Sequence, residues 1–349
     1  MANIKLGLTI YSLTKEQVHL GWSTEDCLKV AKQLGVTGVE FVASQTFGTH
    51  YPWPTDEELY NVANLCAKYG LEIASYSGQA DRGKRSDLLD LSEDDMLAYA
   101  INDVKCAYKI GAKAQRQQNN MYPNAFKKLA PWAEKYGVKV GIEMHSPMTP
   151  REPNSEAFNR AIEESGSKYI GWCPDFGMFG PNLMLGARPK NMSKEEIAAF
   201  EARRRNMLRV PSRAGMPEEV CLYFENNVGK SPEELEAGLD QFDLTPFQRE
   251  SIHVMLYTPD LAGDTRDTIW EDFESIIVPH TVHCHGKFTK LNEEGDDPGI
   301  HTSRVLEILN RSDYDGYISI EWEGRTDGPT TQVLQKHIDF YRKTLGIQG

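Results

Sequence analysis

The sequence lacks three features that mark other classes of protein: a long apolar run, a closely spaced pair of cysteines and a positive net charge. No segment approaches the ~20 consecutive apolar residues that a membrane-spanning helix requires. The chain starts Met-Ala-Asn-Ile-Lys, without the apolar segment of a secretory signal. Its six cysteines are scattered singly with no Cys-x-x-Cys motif, which is typical of a reducing compartment. We therefore expect a soluble, unexported, cytoplasmic protein with no membrane partner.

The formal net charge of −13 argues against a nucleic-acid partner, because nucleic-acid binding depends on Lys and Arg side chains that neutralise phosphates. The composition is that of a globular protein, with 40% hydrophobic and 26% charged residues. A length of 349 residues is enough for one large α/β barrel or for two ordinary domains.

The first half of the chain repeats one unit of roughly 35 residues, in which a capped amphipathic helix and a stop glycine precede a short apolar strand. Thr55-Asp56-Glu57-Glu58 is a capping box, Gly70 ends that helix, and the strand Leu71–Ser75 follows. The same pattern predicts eight strands: Lys5–Ile10, Val39–Ala43, Leu71–Ser75, Ala112–Gln118, Val138–His145, Tyr169–Pro174, Thr281–Phe288 and Tyr317–Trp322. An open doubly wound sheet also alternates strands with helices, but eight strands and a closing helix favour a (β/α)8 TIM barrel.

The segment between the sixth and seventh strands is too long for a loop of a βα barrel. It contains two capping boxes, Ser193-Lys194-Glu195-Glu196 and Ser231-Pro232-Glu233-Glu234. We therefore predict an α/β fold in which residues 1–349 form a single TIM-barrel domain and residues 177–262 form a helical insertion within it. An insertion at this point of the chain would lie on the catalytic rim, as a lid or as a surface for another subunit.

Four predicted strands end in a side chain that is suited to one divalent ion. These side chains are Glu143, Asp175, His285 and Glu321. A single carboxylate at a strand end usually caps a helix, but four successive strands with such groups at the same end predict a shared site. Three carboxylates and one imidazole suit Mn²⁺ or Mg²⁺ and also accept Co²⁺ or Zn²⁺. His283 lies on the same face of its strand as His285, so either imidazole is a candidate ligand.

The fifth strand has one apolar face and one polar face. Val140, Ile142 and Met144 point to one side, while Glu143 and His145 point to the other. His145 therefore lies one pleat beyond a predicted ligand. Its imidazole has an unperturbed pKa near neutrality, which makes it a candidate base.

Four motifs together resemble the xylose isomerase-like TIM barrels, which include sugar isomerases and epimerases. They are Ile-Glu-x-His at the fifth strand, Pro-Asp at the sixth, His-x-His-Gly-Lys at the seventh and Tyr-Asp-Gly-Tyr-Ile-Ser-Ile-Glu at the eighth. The resemblance implies that Glu143, Asp175, His285 and Glu321 form a Glu-Asp-His-Glu metal site. The chain departs from the ketose 3-epimerases at Met178, where those enzymes carry a substrate-binding histidine.

The long insertion and the Glu-Met-His-Ser-Pro sequence of the fifth strand look most similar to the large, catalytic subunit of bacterial C-glycoside deglycosidases. This resemblance implies a small β-rich partner subunit, a hetero-oligomer and a 3-oxo-C-glycoside substrate. In the reaction that we expect, His145 takes the C2 proton of the oxidised sugar beside Glu143 and Glu321, and β-elimination cleaves the carbon–carbon bond to the aglycone.

Two alternatives remain open. One is a divalent-metal-dependent sugar isomerase or epimerase in which Glu143 and Glu321 pass the proton through a cis-enediolate and His145 binds a hydroxyl. The other is a sugar-binding or scaffold subunit without activity, although the intact set of ligands argues against it. Polar or aromatic side chains near the predicted mouth are candidates for contacting substrate: His283, Gln118, Arg151, His50, Trp53 and Lys287.

Overall fold

The computed structural model describes residues 3–80, 91–146, 148–151, 153–180, 217–227, 230–257, 267–324, 326 and 328–347. The chain divides into two compact units. The first comprises Met1–Ala80, Glu93–Gly180 and Asp267–Gly349, and the second comprises Asp81–Ser92 and Pro181–Arg266.

The first unit is an eight-stranded parallel barrel. Its strands are β1 Lys5–Thr9, β2 Gly38–Val42, β3 Glu72–Ser77, β4 Ala114–Gln117, β5 Lys139–Met144, β6 Ile170–Pro174, β7 Cys284–Phe288 and β8 Tyr317–Trp322. Consecutive strands pair in parallel from β1 to β6, and β8 lies between β1 and β7. Isolated bridges join Trp172 to Thr281 and Asp175 to His285, so β6 and β7 nearly close the ring. The predicted (β/α)8 barrel is confirmed, and each predicted strand overlaps an observed one.

Helices alternate with the strands. In the first unit they are α1 Thr14–Leu20, α2 Thr24–Gln33, α3 Ala43–Phe47, α4 Asp56–Tyr69, α5 Glu93–Ile110, α6 Pro123–Tyr136, α7 Pro153–Ser165, α11 Asp267–Asp272, α12 Thr302–Asn310 and α13 Thr330–Leu345. The predicted capping box of α4 is present, since Thr55 accepts a hydrogen bond from the Glu58 backbone and Glu58 accepts one from the Thr55 backbone. Gly70 ends α4 in the left-handed conformation that glycine adopts without a steric cost.

Apolar side chains fill the space between the strands and the helices. Val140, Ile142 and Met144 of β5 are fully buried, as their alternation predicts. Phe158 of α7 contacts Phe126 of α6 and Trp172 of β6 edge to face, with ring centroids 5.7 and 6.1 Å away. Each such buried aromatic side chain stabilises the fold by about 2–3 kcal/mol. This packing anchors β6, which is followed by Asp175, against α7.

The described part of the second unit is helical. It contains α8 Glu218–Asn226, α9 Pro232–Ala237 and α10 Pro246–Tyr257. Val220, Phe224, Leu235 and Ile252 belong to its apolar core. The capping box at Ser231 is confirmed, whereas the one predicted at Ser193 lies outside the described residues. The extent of the insertion, residues 177–262, stays a prediction.

Among the residues that the structure describes, no helix combines the length and the apolar character needed to cross a membrane.

Candidate metal and active site

The four predicted metal ligands meet at the C-terminal end of the barrel. Glu143 of β5, Asp175 after β6 and His285 of β7 each offer one ligand atom, and these three atoms all lie within 4.8 Å of one another. Glu321 of β8 brings its Oε2 to 3.6 Å from Nδ1 of His285. All four residues are buried. Parallel strands end at the same edge of the barrel, which is why residues so far apart in the sequence converge.

Two buried atoms of this cluster have no hydrogen-bond partner among the described residues: Nδ1 of His285 and Oε2 of Glu321. Oε1 of Glu143 lies 2.9 Å from Nδ1 of His285, but the contact lacks the alignment of a hydrogen bond. Buried polar atoms without a partner are costly, and a cation held between these atoms would satisfy them. The donor set therefore fits a divalent metal ion.

The net charge of the buried side chains around the cluster also favours a bound cation. Four carboxylates, those of Glu40, Glu143, Asp175 and Glu321, share this region with the cations of Arg116 and Lys287. With all four carboxylates ionised and both imidazoles neutral, two negative charges are unbalanced. Either one divalent ion or two protons, on Glu321 and His285, can supply that charge, because unbalanced charge at this depth is strongly unfavourable.

The pKa values of the ligands diverge. Burial alone would raise the pKa of Glu143, but Arg116 and His285 hold it well below the ordinary value. Burial raises the pKa of Glu321 to about 8, with further contributions from Asp175 and Glu323 that His285 and Lys287 only partly oppose. Burial would lower the pKa of His285, but the neighbouring carboxylates raise it well above its ordinary value. A proton and a metal ion would therefore compete for Nδ1 of His285.

The imidazole of His145 carries its lone pair on Nε2. Its Nδ1 lies 2.5 Å from the Ser146 carbonyl oxygen, which can only accept, so Nδ1 bears the proton. Its Nε2 then accepts a hydrogen bond from Nζ of Lys287 at 2.8 Å and lies 3.5 Å from Oδ2 of Asp175. The side chain of His145 is 25% exposed, which makes it the accessible member of this group. An unprotonated ring nitrogen at the rim of the cluster is placed to act as a base.

Lys287 contacts three partners through its ammonium group, with hydrogen bonds to His145 and Asp175 and an ion pair with Glu323. Nζ lies 2.8 Å from Nε2 of His145, 3.0 Å from Oδ2 of Asp175 and 2.7 Å from Oε2 of Glu323. Burial would lower the pKa of Lys287, but Asp175, Glu321 and Glu323 raise it well above its ordinary value. Lys287 is therefore a fixed cation between the cluster and the base.

Asp175 is oriented by a turn that follows β6. Its Oδ1 accepts the backbone N–H of Gly177 at 2.6 Å, at the start of the 3-10 helix Phe176–Phe179. This leaves Oδ2 facing Lys287 and His145. A Cβ atom at position 177 would lie only 2.7 Å from Cδ of Lys287 and 3.0 Å from Oδ1 of Asp175. Glycine at this position therefore lets the strand end and Lys287 approach closely.

Two buried charges of the site were missed in the sequence, Glu40 on β2 and Arg116 on β4. Glu40 accepts hydrogen bonds from Nε2 of His283 and Nε2 of His285, both at 2.8 Å, and from Oγ of Ser77. Arg116 lies 3.5 Å from Oε1 of Glu143. The sequence did contain a signal for both residues. Parallel strands of a barrel are buried on both faces, so a charged residue within a predicted parallel strand indicates a buried charge.

The remaining candidate substrate residues have other neighbours in the structure. His50 pairs with Glu58, and Arg151 pairs with Asp272 at 2.9 Å. Trp53 is 58% exposed, with its ring 5.8 Å from that of Tyr99. Gln118 is half-buried just beyond β4. Their roles in binding substrate stay predictions, as do those of His283 and Lys287, which lie beside the cluster.

Comparison with known proteins supports the resemblance found in the sequence. Residues 28–180 match the family described as "Xylose isomerase-like TIM barrel". The chain is 28% identical over 343 residues to the 3'-dehydrocarminate deglycosidase alpha subunit of a Microbacterium species, covering 95% of this chain and 93% of the relative. It is 27% identical over 328 residues to a C-glycoside deglycosidase alpha subunit of Arthrobacter globiformis, covering 93% and 86%.

Solved structures share the fold. A sugar phosphate isomerase/epimerase from Parabacteroides distasonis superposes with a TM-score of 0.54 at 12% identity, covering 99% of this chain and 96% of that one. The D-psicose 3-epimerase of Clostridium cellulolyticum gives 0.53 at 12% identity, covering 98% and 99%. The chain therefore has the (β/α)8 barrel fold, residues 28–180 are similar to the xylose isomerase-like TIM barrels, and the whole sequence resembles C-glycoside deglycosidase alpha subunits along nearly its full length.

Proposed function

We propose that the chain is the catalytic, metal-dependent subunit of a C-glycoside deglycosidase, a carbon–carbon lyase that acts on 3-oxo-C-glycosides. The observation that carries the proposal is the position of His145, whose Nε2 lone pair lies 3.5 Å from Oδ2 of Asp175. A base at this distance from the cluster can reach a carbon next to a carbonyl that the cluster holds. The names of the curated relatives support the same reaction class.

We propose Glu143, Asp175, His285 and Glu321 as the ligands of one divalent ion, most suitably Mn²⁺, with Mg²⁺, Co²⁺ or Zn²⁺ as alternatives. When bound, the ion supplies Lewis-acid stabilisation of negative charge on the oxygen of a sugar carbonyl. Nδ1 is the atom that His285 offers, because Nε2 of the same ring donates to Glu40.

In the proposed reaction, Nε2 of His145 removes the proton from C2 of the 3-oxo sugar. In the substrate complex, the C2–H bond of the sugar would take the place of the Lys287 N–H group beside Nε2 of His145. Lys287 keeps Asp175 and Glu323 as partners. The electron pair of the broken C–H bond then forms a C1–C2 double bond as the bond from C1 to the aglycone breaks. The aglycone carbon leaves with its electron pair and takes a proton from water or from a partner subunit. The 3-oxo group is retained, so no redox cofactor is consumed.

The word "alpha" in the names of the relatives supports a further part of the proposal, namely that this chain assembles with a second subunit into a hetero-oligomer. From the resemblance in sequence we propose that this second subunit is small and β-rich. We propose a cytoplasmic location for the complex.

The test is to purify the chain alone and with its co-expressed small subunit, and to offer a 3-oxo-C-glucoside beside free ketoses. We expect release of the aglycone, its loss after treatment with a chelator, and its recovery on addition of Mn²⁺. Interconversion of ketoses without release of the aglycone would contradict the proposal and favour the isomerase alternative. Sugar binding without turnover of either substrate would favour the non-catalytic alternative.

A further inference from the structure

Glu40 bridges two imidazoles inside the barrel. Its Oε1 accepts a hydrogen bond from Nε2 of His285 and its Oε2 accepts one from Nε2 of His283, each at 2.8 Å. Glu40 and both histidines are at most 1% exposed. Oγ of Ser77 also donates to Oε1 of Glu40, and Nε2 of His283 lies 3.1 Å from Oγ of Ser319. Three side chains, from β3 and from the start of β7, thus hold one carboxylate in one orientation.

This arrangement decides which ring nitrogen of each histidine carries the proton. An ionised carboxylate only accepts hydrogen bonds, so both Nε2 atoms that face Glu40 must carry a proton. Glu40 accepts from three donors, Nε2 of His283, Nε2 of His285 and Oγ of Ser77, which is the arrangement of an ionised carboxylate. In a neutral ring the lone pair is then on Nδ1. For His285 this is the atom that faces Glu143 and Glu321.

We infer that Glu40 is a positioning residue that fixes the Nδ1 lone pair of His285 toward the Glu143–Asp175–Glu321 cluster and so raises the affinity of that cluster for a divalent ion. The inference rests on the metal site of the proposed function but not on the proposed reaction. A ligating histidine commonly donates its other N–H to a carboxylate, and loss of such a partner lowers metal affinity about 10–100-fold.

A second reading is that Glu40, His283 and His285 themselves hold an ion, because one ligand atom from each lies within 4.8 Å of the others. The alignment of their contacts favours positioning. Both contacts of Glu40 with the histidines are aligned hydrogen bonds, whereas the contact between Nδ1 of His285 and Glu143 is not. The Nε2 atoms already use their protons on Glu40, and only the Nδ1 side of His285 presents a lone pair to several carboxylates.

The test compares the wild type with Glu40→Gln, Glu40→Asp and the control Glu16→Gln, which changes another buried glutamate, on α1. An amide can accept from only one of the two imidazoles and must donate to the other, so one ring has to change its tautomer. The dissociation constant for Mn²⁺ is measured by competition with a chelating dye. The tautomers of His283 and His285 are read from long-range ¹H–¹⁵N spectra of the protein saturated with diamagnetic Zn²⁺.

We expect Glu40→Gln to weaken Mn²⁺ binding by about 10–100-fold and to change the tautomer of at least one of the two rings. Glu40→Asp should keep the tautomers, and Glu16→Gln should bind as the wild type does. Equal affinities for the wild type and Glu40→Gln would overturn the inference and leave the metal site intact. Two ions per chain, one of them lost in Glu40→Gln, would make Glu40 a ligand and also overturn it. A wild type that binds no metal would instead defeat the proposed function.

Discussion

Nδ1 of His285 lies 2.9 Å from Oε1 of Glu143, although the two residues belong to β7 and β5, with β6 between them. When the His285 ring is neutral, the Nδ1 lone pair faces this carboxylate, which is unfavourable in the barrel interior unless a cation binds beside both atoms. The variants below test whether a metal ion is that cation and whether the neighbouring base acts on a substrate.

The first prediction concerns a ligand. Asp175→Asn replaces the carboxylate of a ligand with an amide of the same shape. Loss of a residue that only hydrogen-bonds a ligand lowers metal affinity about 10–100-fold, so we expect loss of a ligand to lower Mn²⁺ affinity by more than about a hundredfold. Metal content after dialysis measures the change. Glu323→Gln is the matched control, because Glu323 contacts Lys287 and is 31% exposed. Full metal content in Asp175→Asn would remove Asp175 from the ligands.

The second prediction separates the base from the metal site. His145→Ala should lower kcat for aglycone release by about 10²–10⁴-fold, the usual contribution of a positioned base, and leave metal content unchanged. Steady-state kinetics and metal analysis on the same preparation provide both readouts. His280→Ala removes an exposed imidazole and should change neither quantity. A fully active His145→Ala enzyme would show that another group takes the proton.

The third prediction tests the close approach at the end of β6. In Gly177→Ala the new methyl group must displace Lys287 or the carboxylate of Asp175, so we expect a loss of about 1–3 kcal/mol of stability and weaker metal binding. Chemical denaturation and a metal titration measure the two effects. Gly7→Ala in β1 is the control, because its added atom meets neighbours at 3.4 Å, which is ordinary contact. Similar losses in both variants would show that no special constraint exists at Gly177.

The fourth prediction concerns acid stability, away from the cluster. His337 of α13 is buried, stacks on Phe288 at 3.9 Å and donates Nδ1–H to the Gly295 carbonyl at 2.7 Å. Burial lowers the pKa of His337 to about 4, although the bond to Gly295 opposes this. The unfolded chain takes up a proton at this residue near pH 6.5 and the folded protein only near pH 4. The free energy of unfolding should therefore fall by about 3 kcal/mol as the pH drops through this range.

His337→Asn keeps a donor toward Gly295 but cannot be protonated, so it should lose this part of the pH dependence. Urea denaturation from pH 7 to pH 4 measures the difference between the variant and the wild type. Parallel stability curves for the two proteins would contradict the assignment.

The barrel itself was predictable because its signals are local. Capping boxes such as Thr55 to Glu58 and stop glycines such as Gly70 mark helix ends through contacts within a few residues. The alternation in β5 was equally readable, since it assigns Glu143 and Met144 to opposite faces. The convergence of four strand ends then follows from the fold.

The interior partners of the site were not predictable in the same way. Glu40 reaches His283 and His285 across the barrel, and the sequence gives no distance between strands that do not adjoin. Arg116 likewise appears within a short strand, where its contact with Glu143 depends on the register of β4 against β5. For the same reason, the sequence left open whether His283 or His285 is the ligand. The rotation of β7 about its axis decides which of the two rings faces the other carboxylates.

The central claim is that one cation lies among Glu143, Asp175, His285 and Glu321. Crystals of the Mn²⁺-loaded protein, measured at the manganese absorption edge, test it most directly. The account predicts a single anomalous peak at about 2.0–2.4 Å from a carboxylate oxygen of each acidic residue and from Nδ1 of His285. A peak at Nε2 of His285 beside Glu40, or no peak within reach of these four side chains, would contradict it.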